Sequence, residues 1–290
     1  MRIRTGARLR ALVALLAATL MLGGLAFAPA EVGAQANPYQ RGPAPTLAGL
    51  EQARGTFATA TLTVPRQANF GGGTITYPTD TSQGTFGAVV VSPGFVSPQV
   101  PWAGPALASR GFVVFTIDTT TIFDNPTSRS QQLDAAITYL LASSVANRID
   151  RTRIAAMGHS MGGGGTLELA RNRPTLKAAV ALQPWDILQS FGTVRVPTMI
   201  IGAGADFIAP VASFAEPFYT QVPAGTEKAY AEIAGADHLI GFTGNATQQR
   251  LAIAWLKRYV DNDTRYDQFL CPPPSGPTLA EYRNTCPTGS

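Results

Sequence analysis

Two apolar patterns divide the chain. Phe57 to Val64 alternates apolar and polar positions, and Gly73 to Tyr77 follows as a partner. Period-two alternation predicts a hairpin with one face in solvent. From Phe86 the pattern changes to short continuous apolar runs: Phe86 to Val91, Phe112 to Ile117, Ile154 to Met157, Ala178 to Leu182 and Thr198 to Ile201. Runs without a polar face predict strands buried on both sides. Helix-like segments lie between them, at Val100 to Ser109, Ser128 to Ala142, Gly163 to Asn172 and Val211 to Tyr219; Leu251 to Tyr259 closes the series. Trp255 falls in that last amphipathic segment and is expected in the core. Strands alternating with helices predict an α/β protein with a mostly parallel central sheet flanked by helices. The connections are short, so no lid domain is expected. An open, shallow site suits bulky or polymeric substrates.

The first 36 residues do not belong to this pattern. Arg2, Arg4, Arg8 and Arg10 precede an apolar stretch, Ala11 to Leu22, too short to span a bilayer securely. Ala34-Gln35-Ala36 matches a small-residue cleavage site. The layout is that of a secretory signal peptide over 1–36, with one α/β domain over 37–290. The rival is an uncleaved membrane anchor. Four of the 22 basic and one of the 18 acidic residues lie in this segment, so its removal lowers the formal charge from +4 to +1. The remaining balance offers no basic patch for nucleic acid. No later stretch is long and apolar enough to span a membrane, so no membrane partner is expected once the signal is removed. Cys271 and Cys286 are the only two cysteines. In an oxidising compartment they are expected to pair, closing a loop worth about 3 kcal/mol in the chain-entropy model. No histidine lies near them to suggest zinc.

The chemistry centres on Gly158-His159-Ser160-Met161-Gly162. The Gly-x-Ser-x-Gly pattern is weak alone, but here a short buried strand precedes it and a helix follows. That context fits a nucleophile elbow, which exposes a serine on a strained strand-to-helix turn. A serine needs a base to take its proton. The chain has two histidines, His159 and His238. His159 adjoins the serine on a tight turn and is poorly placed to act on it, which leaves His238. The base in turn needs a carboxylate to fix its tautomer. Asp206 follows the strand Thr198 to Ile201 and precedes the histidine in the expected order; Asp186, also after a strand, is the alternative. Asp237 reads as an exposed loop residue. The oxyanion calls for two backbone donors, expected from Met161 after the nucleophile and from Phe95 in the loop Ser92-Pro93-Gly94-Phe95. Trp185, at a strand's carboxyl end, is a candidate substrate platform. The glycines Gly162 to Gly165 lack the Lys-Ser/Thr of a phosphate loop, so close helix packing explains them better.

At these positions the chain resembles the bacterial polyester hydrolases, the actinomycete-type cutinases and poly(ethylene terephthalate) hydrolases. The markers run from Ser92-Pro93-Gly94-Phe95 through the elbow to Ile208-Ala209-Pro210-Val211, Ala254-Trp255-Leu256-Lys257-Arg258 and Asp261-Asn262-Asp263-Thr264-Arg265-Tyr266. The resemblance implies an α/β-hydrolase fold and a Ser160–His238–Asp206 triad. It implies an oxyanion hole of Phe95 and Met161, and substrate contacts from Phe95, Met161, Trp185 and Ile208. It also supports the Cys271–Cys286 disulfide. Three departures stand out. Phe95 replaces the usual tyrosine. Phe214 replaces histidine or serine, which would crowd Trp185. Gly204, Ala234 and Ala280 stand where many cutinases carry calcium-binding acids, so that metal site is expected to be absent.

The sequence therefore predicts a secreted, monomeric serine ester hydrolase acting on polymeric or lipid-like esters, without metal or organic cofactor. A lipase or short-chain carboxylesterase on the same scaffold is the nearest alternative. A non-catalytic polymer-binding protein is the alternative from another class.

Overall fold

The computed structural model describes residues 37–286. The expected signal peptide lies outside them, and a compact unit begins at Asn37. In chain order the elements are α1 (Leu47–Glu51), β1 (Thr59–Val64), β2 (Gly72–Pro78), β3 (Phe86–Ser92), α2 (Ala103–Ala108), β4 (Phe112–Asp118) and α3 (Pro126–Leu140). Then come β5 (Ile149–His159), α4 (Met161–Asn172), β6 (Ala178–Leu182), β7 (Thr198–Ala203), α5 (Ala215–Gln221), β8 (Lys228–Ile233), α6 (Ile240–Thr243), α7 (Ala246–Val260) and β9 (Leu279–Asn284). Two 3-10 turns, Ala146–Arg148 and Thr264–Phe269, complete the set.

The nine strands form one sheet in the order β1-β2-β4-β3-β5-β6-β7-β8-β9. The six strands from β4 to β8 in that order are parallel. β1 and β2 add an antiparallel edge on one side, and β9 on the other. Side chains alternate across the buried strands. Ala88 and Val90 pack with Leu133 and Ile137 of α3, Leu167 of α4 and Phe218 of α5. Val89 and Val91 face Leu107 of α2 and Leu251 to Leu256 of α7. Two apolar layers thus enclose the sheet, as expected of an α/β-hydrolase fold. Trp255 is buried in the second layer.

Three expected elements shift. Val211 to Phe214 is a turn, and α5 starts only at Ala215. α7 starts at Ala246, five residues before the expected Leu251, because the Asn245 side chain accepts from Gln248 N–H and caps it. Near the first predicted helix, Val100 to Trp102 is irregular and α2 is only six residues long. Two strands were not anticipated. β8 reads Lys-Ala-Tyr-Ala-Glu-Ile, whose charged residues hide its buried centre. β9 is an edge strand in the proline-rich tail, where few apolar residues mark it. The Cys271–Cys286 disulfide joins the ends of that tail, with the Cα atoms 5.8 Å apart.

The order β4-β3-β5 places the chemistry. β3 leads to β4 through α2, and β4 leads to β5 through α3, on opposite faces of the sheet. Ligand sites in open α/β sheets form at such a reversal, beyond the carboxyl ends of the strands. Ser92 at the end of β3 pairs with Gly158 near the end of β5. The loop after β3 is therefore next to Ser160.

Candidate active site

Ser160 sits between β5 and α4 with φ 54° and ψ −120°, a left-handed conformation costly for a residue with a Cβ. The turn is held by bonds from Ser160 N–H to Leu182 O and from Trp185 N–H to Ser160 O, at 2.9 and 3.0 Å. The flanking glycines follow from crowding. A Cβ on Gly158 would lie 2.2 Å from Gly162 O, and one on Gly162 would lie 2.3 Å from Pro93 O. The run continues the same way: Gly164 lets Trp185 O approach, and Gly165 lets α3 approach. Each glycine admits a neighbouring segment to close contact with α4.

Ser160 Oγ lies 2.8 Å from His238 Nε2, and His238 Nδ1 lies 2.7 Å from Asp206 Oδ2. Asp206 comes from the loop after β7 and His238 from the loop after β8; Ala205 N–H donates to Ala236 O at 2.8 Å and ties the two loops together. The other Asp206 oxygen accepts from Ile208 and Ala209 N–H, at 2.8 and 2.7 Å. Burial pushes the Asp206 carboxyl up, but bonds from His238 and these backbone groups outweigh it and hold it below the ordinary value. An ionised Asp206 accepts the Nδ1 hydrogen, leaving Nε2 free to take a proton from the serine.

The other candidate partners are placed elsewhere. His159 points its Nε2 at the His238 carbonyl, 2.9 Å away. A carbonyl only accepts, so His159 carries its hydrogen on Nε2. Burial, reinforced by the neighbouring His238, lowers its pKa to about 4. Asp186 is not in the relay: it is buried beside Glu168 of α4. Asp237 is exposed and accepts from Leu239 N–H.

The Ser92–Phe95 loop crosses Ser160 closely. A Cβ on Gly94 would lie 3.1 Å from Ser160 Cβ. Among the described residues, the backbone N–H groups of Phe95 and Met161 donate to no protein acceptor. The Met161 N–H also opens α4, where the helix dipole favours negative charge.

The rim is apolar. Phe95, Val96, Ile122, Phe123, Ile187, Leu188, Phe207, Ile208 and Leu239 are all exposed, Phe207 at 93%. All lie in the loops at the carboxyl ends of β3, β4, β6, β7 and β8. Trp185 is half-buried among them and stacks on Phe214. Of these, the sequence analysis singled out Phe95 and Ile208. The remaining signal was there: large apolar side chains directly after strand ends, where solvated loops are usually polar. Among the described residues no group of three or more His, Cys, Asp or Glu is placed to hold a metal ion. Gly204 directly follows β7, and a Cβ there would lie 3.1 Å from Glu232 Oε1; Ala234 is exposed and Ala280 lies in β9. No helix of the described residues is long and apolar enough to cross a membrane.

Sheet, elbow and relay together define an α/β-hydrolase. The chain belongs to the PET hydrolase-like family, which it matches over residues 33–287. It is 54% identical to a bis(hydroxyethyl) terephthalate hydrolase of Streptomyces coelicolor over 98% of this chain and 93% of that protein. It is 51% identical to the cutinase est1 of Thermobifida alba, over 90% of each chain. A cutinase of Thermobifida fusca is 50% identical, over 87% of this chain and 86% of that one. The chain is a carboxylic ester hydrolase.

Proposed function

We propose that this chain is a secreted serine esterase that opens polyesters, such as cutin or aromatic polyesters of the terephthalate type, through an acyl-enzyme. The observation that carries the mechanism is the Ser160–His238–Asp206 relay, at 2.8 and 2.7 Å. Ser160 Oγ attacks the ester carbonyl carbon as His238 Nε2 takes the hydroxyl proton. The carbonyl oxygen becomes an oxyanion held by the N–H groups of Phe95 and Met161. The tetrahedral adduct collapses, the C–O bond breaks, and His238 returns the proton to the departing alcohol. Water repeats the sequence, freeing the acid and Ser160. Asp206 orients His238 and stabilises its charged form.

The polymer reading is supported by the exposed apolar rim and by the names of the relatives. Trp185, Ile208, Phe95 and Met161 would contact the acid and alcohol portions of a chain too long to be enclosed. The nucleophile, base, carboxylate and oxyanion donors all come from one chain, so a monomer suffices. They supply every step without a metal or organic cofactor. The signal-like segment 1–36 supports the reading as a secreted protein.

The test compares residues 37–290 with the Ser160→Ala variant on short- and long-chain nitrophenyl esters and on amorphous polyester film. Soluble acids released from film by the wild type alone are expected. Cleavage of small esters without film release would mark an ordinary carboxylesterase. Equal turnover by both proteins would overturn the serine mechanism.

A further inference from the structure

Arg129 is the bulkiest fully buried side chain of the described residues, and no catalytic step uses it. It lies in the first turn of α3, packed against Gly165 of α4, where a Cβ would lie 3.0 Å from Arg129 Cβ. Its guanidinium has no carboxylate partner. Nε donates to Asp124 O at 2.7 Å, Nη1 to Pro93 O at 2.9 Å and Nη2 to Ile122 O at 3.3 Å. The Asp124 carboxylate instead accepts from Thr121 and Gln132. Burial lowers Arg129, against the attraction of Asp124, to about 10, so it remains a cation at neutral pH.

A buried cation without an ion partner is costly, and an apolar side chain would fill this space more cheaply. The three carbonyls show what the fork joins. Pro93 O is the atom that Gly162 of the elbow leaves room for. It lies two residues before the Phe95 N–H. Ile122 O also accepts from Val96 N–H at 3.0 Å. One planar group thus ties the loop after β3 to the loop after β4. Those loops carry Phe95 and Phe123, whose ring centroids are 5.6 Å apart.

We propose that Arg129 is a positioning residue for the oxyanion site: its fork sets the Phe95 N–H over Ser160 and makes Phe95 and Phe123 a single wall. This rests on Ser160 as nucleophile and Phe95 N–H as oxyanion donor. Lysine keeps the charge but presents its donors from one point, so it cannot span three divergent carbonyls.

The test uses Arg129→Lys and Arg129→Met on a soluble nitrophenyl ester, with hydrogen–deuterium exchange of residues 93–96 and 121–124. Both variants are expected to lose about tenfold to a hundredfold in kcat with KM changed less than about threefold, because the donor acts mainly in the transition state. Exchange should rise in both segments while the melting temperature of the lysine variant stays above the assay temperature. A lysine variant with wild-type kcat would overturn the proposal. So would lost activity with unchanged exchange in the two segments. Should both variants fail to fold, nitrogen NMR of the wild type decides. Separate, slowly exchanging Arg129 Nη signals support the fork, and one averaged signal overturns it. Activity retained by Ser160→Ala would remove the serine mechanism but leave the exchange and NMR results standing.

Discussion

The rings of Trp185 and Phe214 lie against each other at a tilt, with centroids 5.9 Å apart and planes 30° from each other. Phe214 is itself braced edge-on by Phe218 of α5, at 6.0 Å and 80°. Phe218 in turn meets Phe191 at 4.8 Å. Trp185 is thus the end of an aromatic column rooted in the core. An aromatic pair of this kind contributes about 0.5–1.5 kcal/mol beyond its area. Phe214→Ser should release Trp185, broadening its fluorine NMR signal in protein labelled with fluorotryptophan. Kcat on a small nitrophenyl ester should stay within about twofold, since Phe214 touches none of the relay. Unchanged Trp185 dynamics would show that the column does not restrain it.

Much of this arrangement was legible before the fold was known. The buried parallel strands, the elbow and the order Ser160, Asp206, His238 follow from short apolar runs and from loops at their carboxyl ends. Asp206 was the preferred carboxylate, and Asp186 stayed the alternative because it also follows a strand. The difference lies in a third dimension: the Asp206 loop is tied to the His238 loop, whereas Asp186 turns toward α4. Arg129 was invisible for a related reason. A lone arginine in a polar helix start reads as solvated, and only the fold shows three loop carbonyls converging on it. β9 was missed because an edge strand needs apolar residues on one face at most, and proline surrounds it.

The Glu168–Asp186 pair carries a pH signature. Both side chains are buried and within hydrogen-bond reach of each other. Glu168 accepts from Thr127 Oγ1 of α3 at 2.9 Å, and Arg171 lies 3.9 Å from its other oxygen. Asp186 Oδ1 accepts from Leu188 N–H. Burial raises both carboxyls above the ordinary range; the Asp186 charge and the hydrogen bond to Asp186 raise Glu168 further, whereas that bond favours the Asp186 carboxylate. The folded chain therefore holds a proton that the unfolded chain releases above about pH 4. Stability from this pair is full below that value and is lost as pH rises through the raised one. In Glu168→Gln the amide N–H replaces the shared proton. Its melting temperature should depend less steeply on pH across that window, and exceed the wild type on the alkaline side. Parallel melting curves for the two proteins would show that no proton is shared.

The disulfide should contribute to stability without touching the chemistry. β9 pairs antiparallel with β8, Ile233 opposite Leu279 and Ala229 opposite Asn284. Cys286 therefore lies toward the start of β8, whereas His238 follows its other end. Thr285 N–H donates to Lys228 O at 2.9 Å, and Asn284 Nδ2 donates to Leu270 O at 2.7 Å, so the tail remains hydrogen-bonded when the sulfurs are removed. The cross-link spans 15 residues. Its loss should cost about 3 kcal/mol through the freedom returned to the unfolded chain. At about 2–4 °C per kcal/mol for a domain of this size, the Cys271→Ser, Cys286→Ser double variant should melt about 6–12 °C lower. Kcat on a soluble ester, measured well below that transition, should remain within about twofold of the wild type. A drop in kcat at low temperature would show instead that the tail strand supports the His238 loop, through the bond from Ala234 N–H to Thr278 O that joins them.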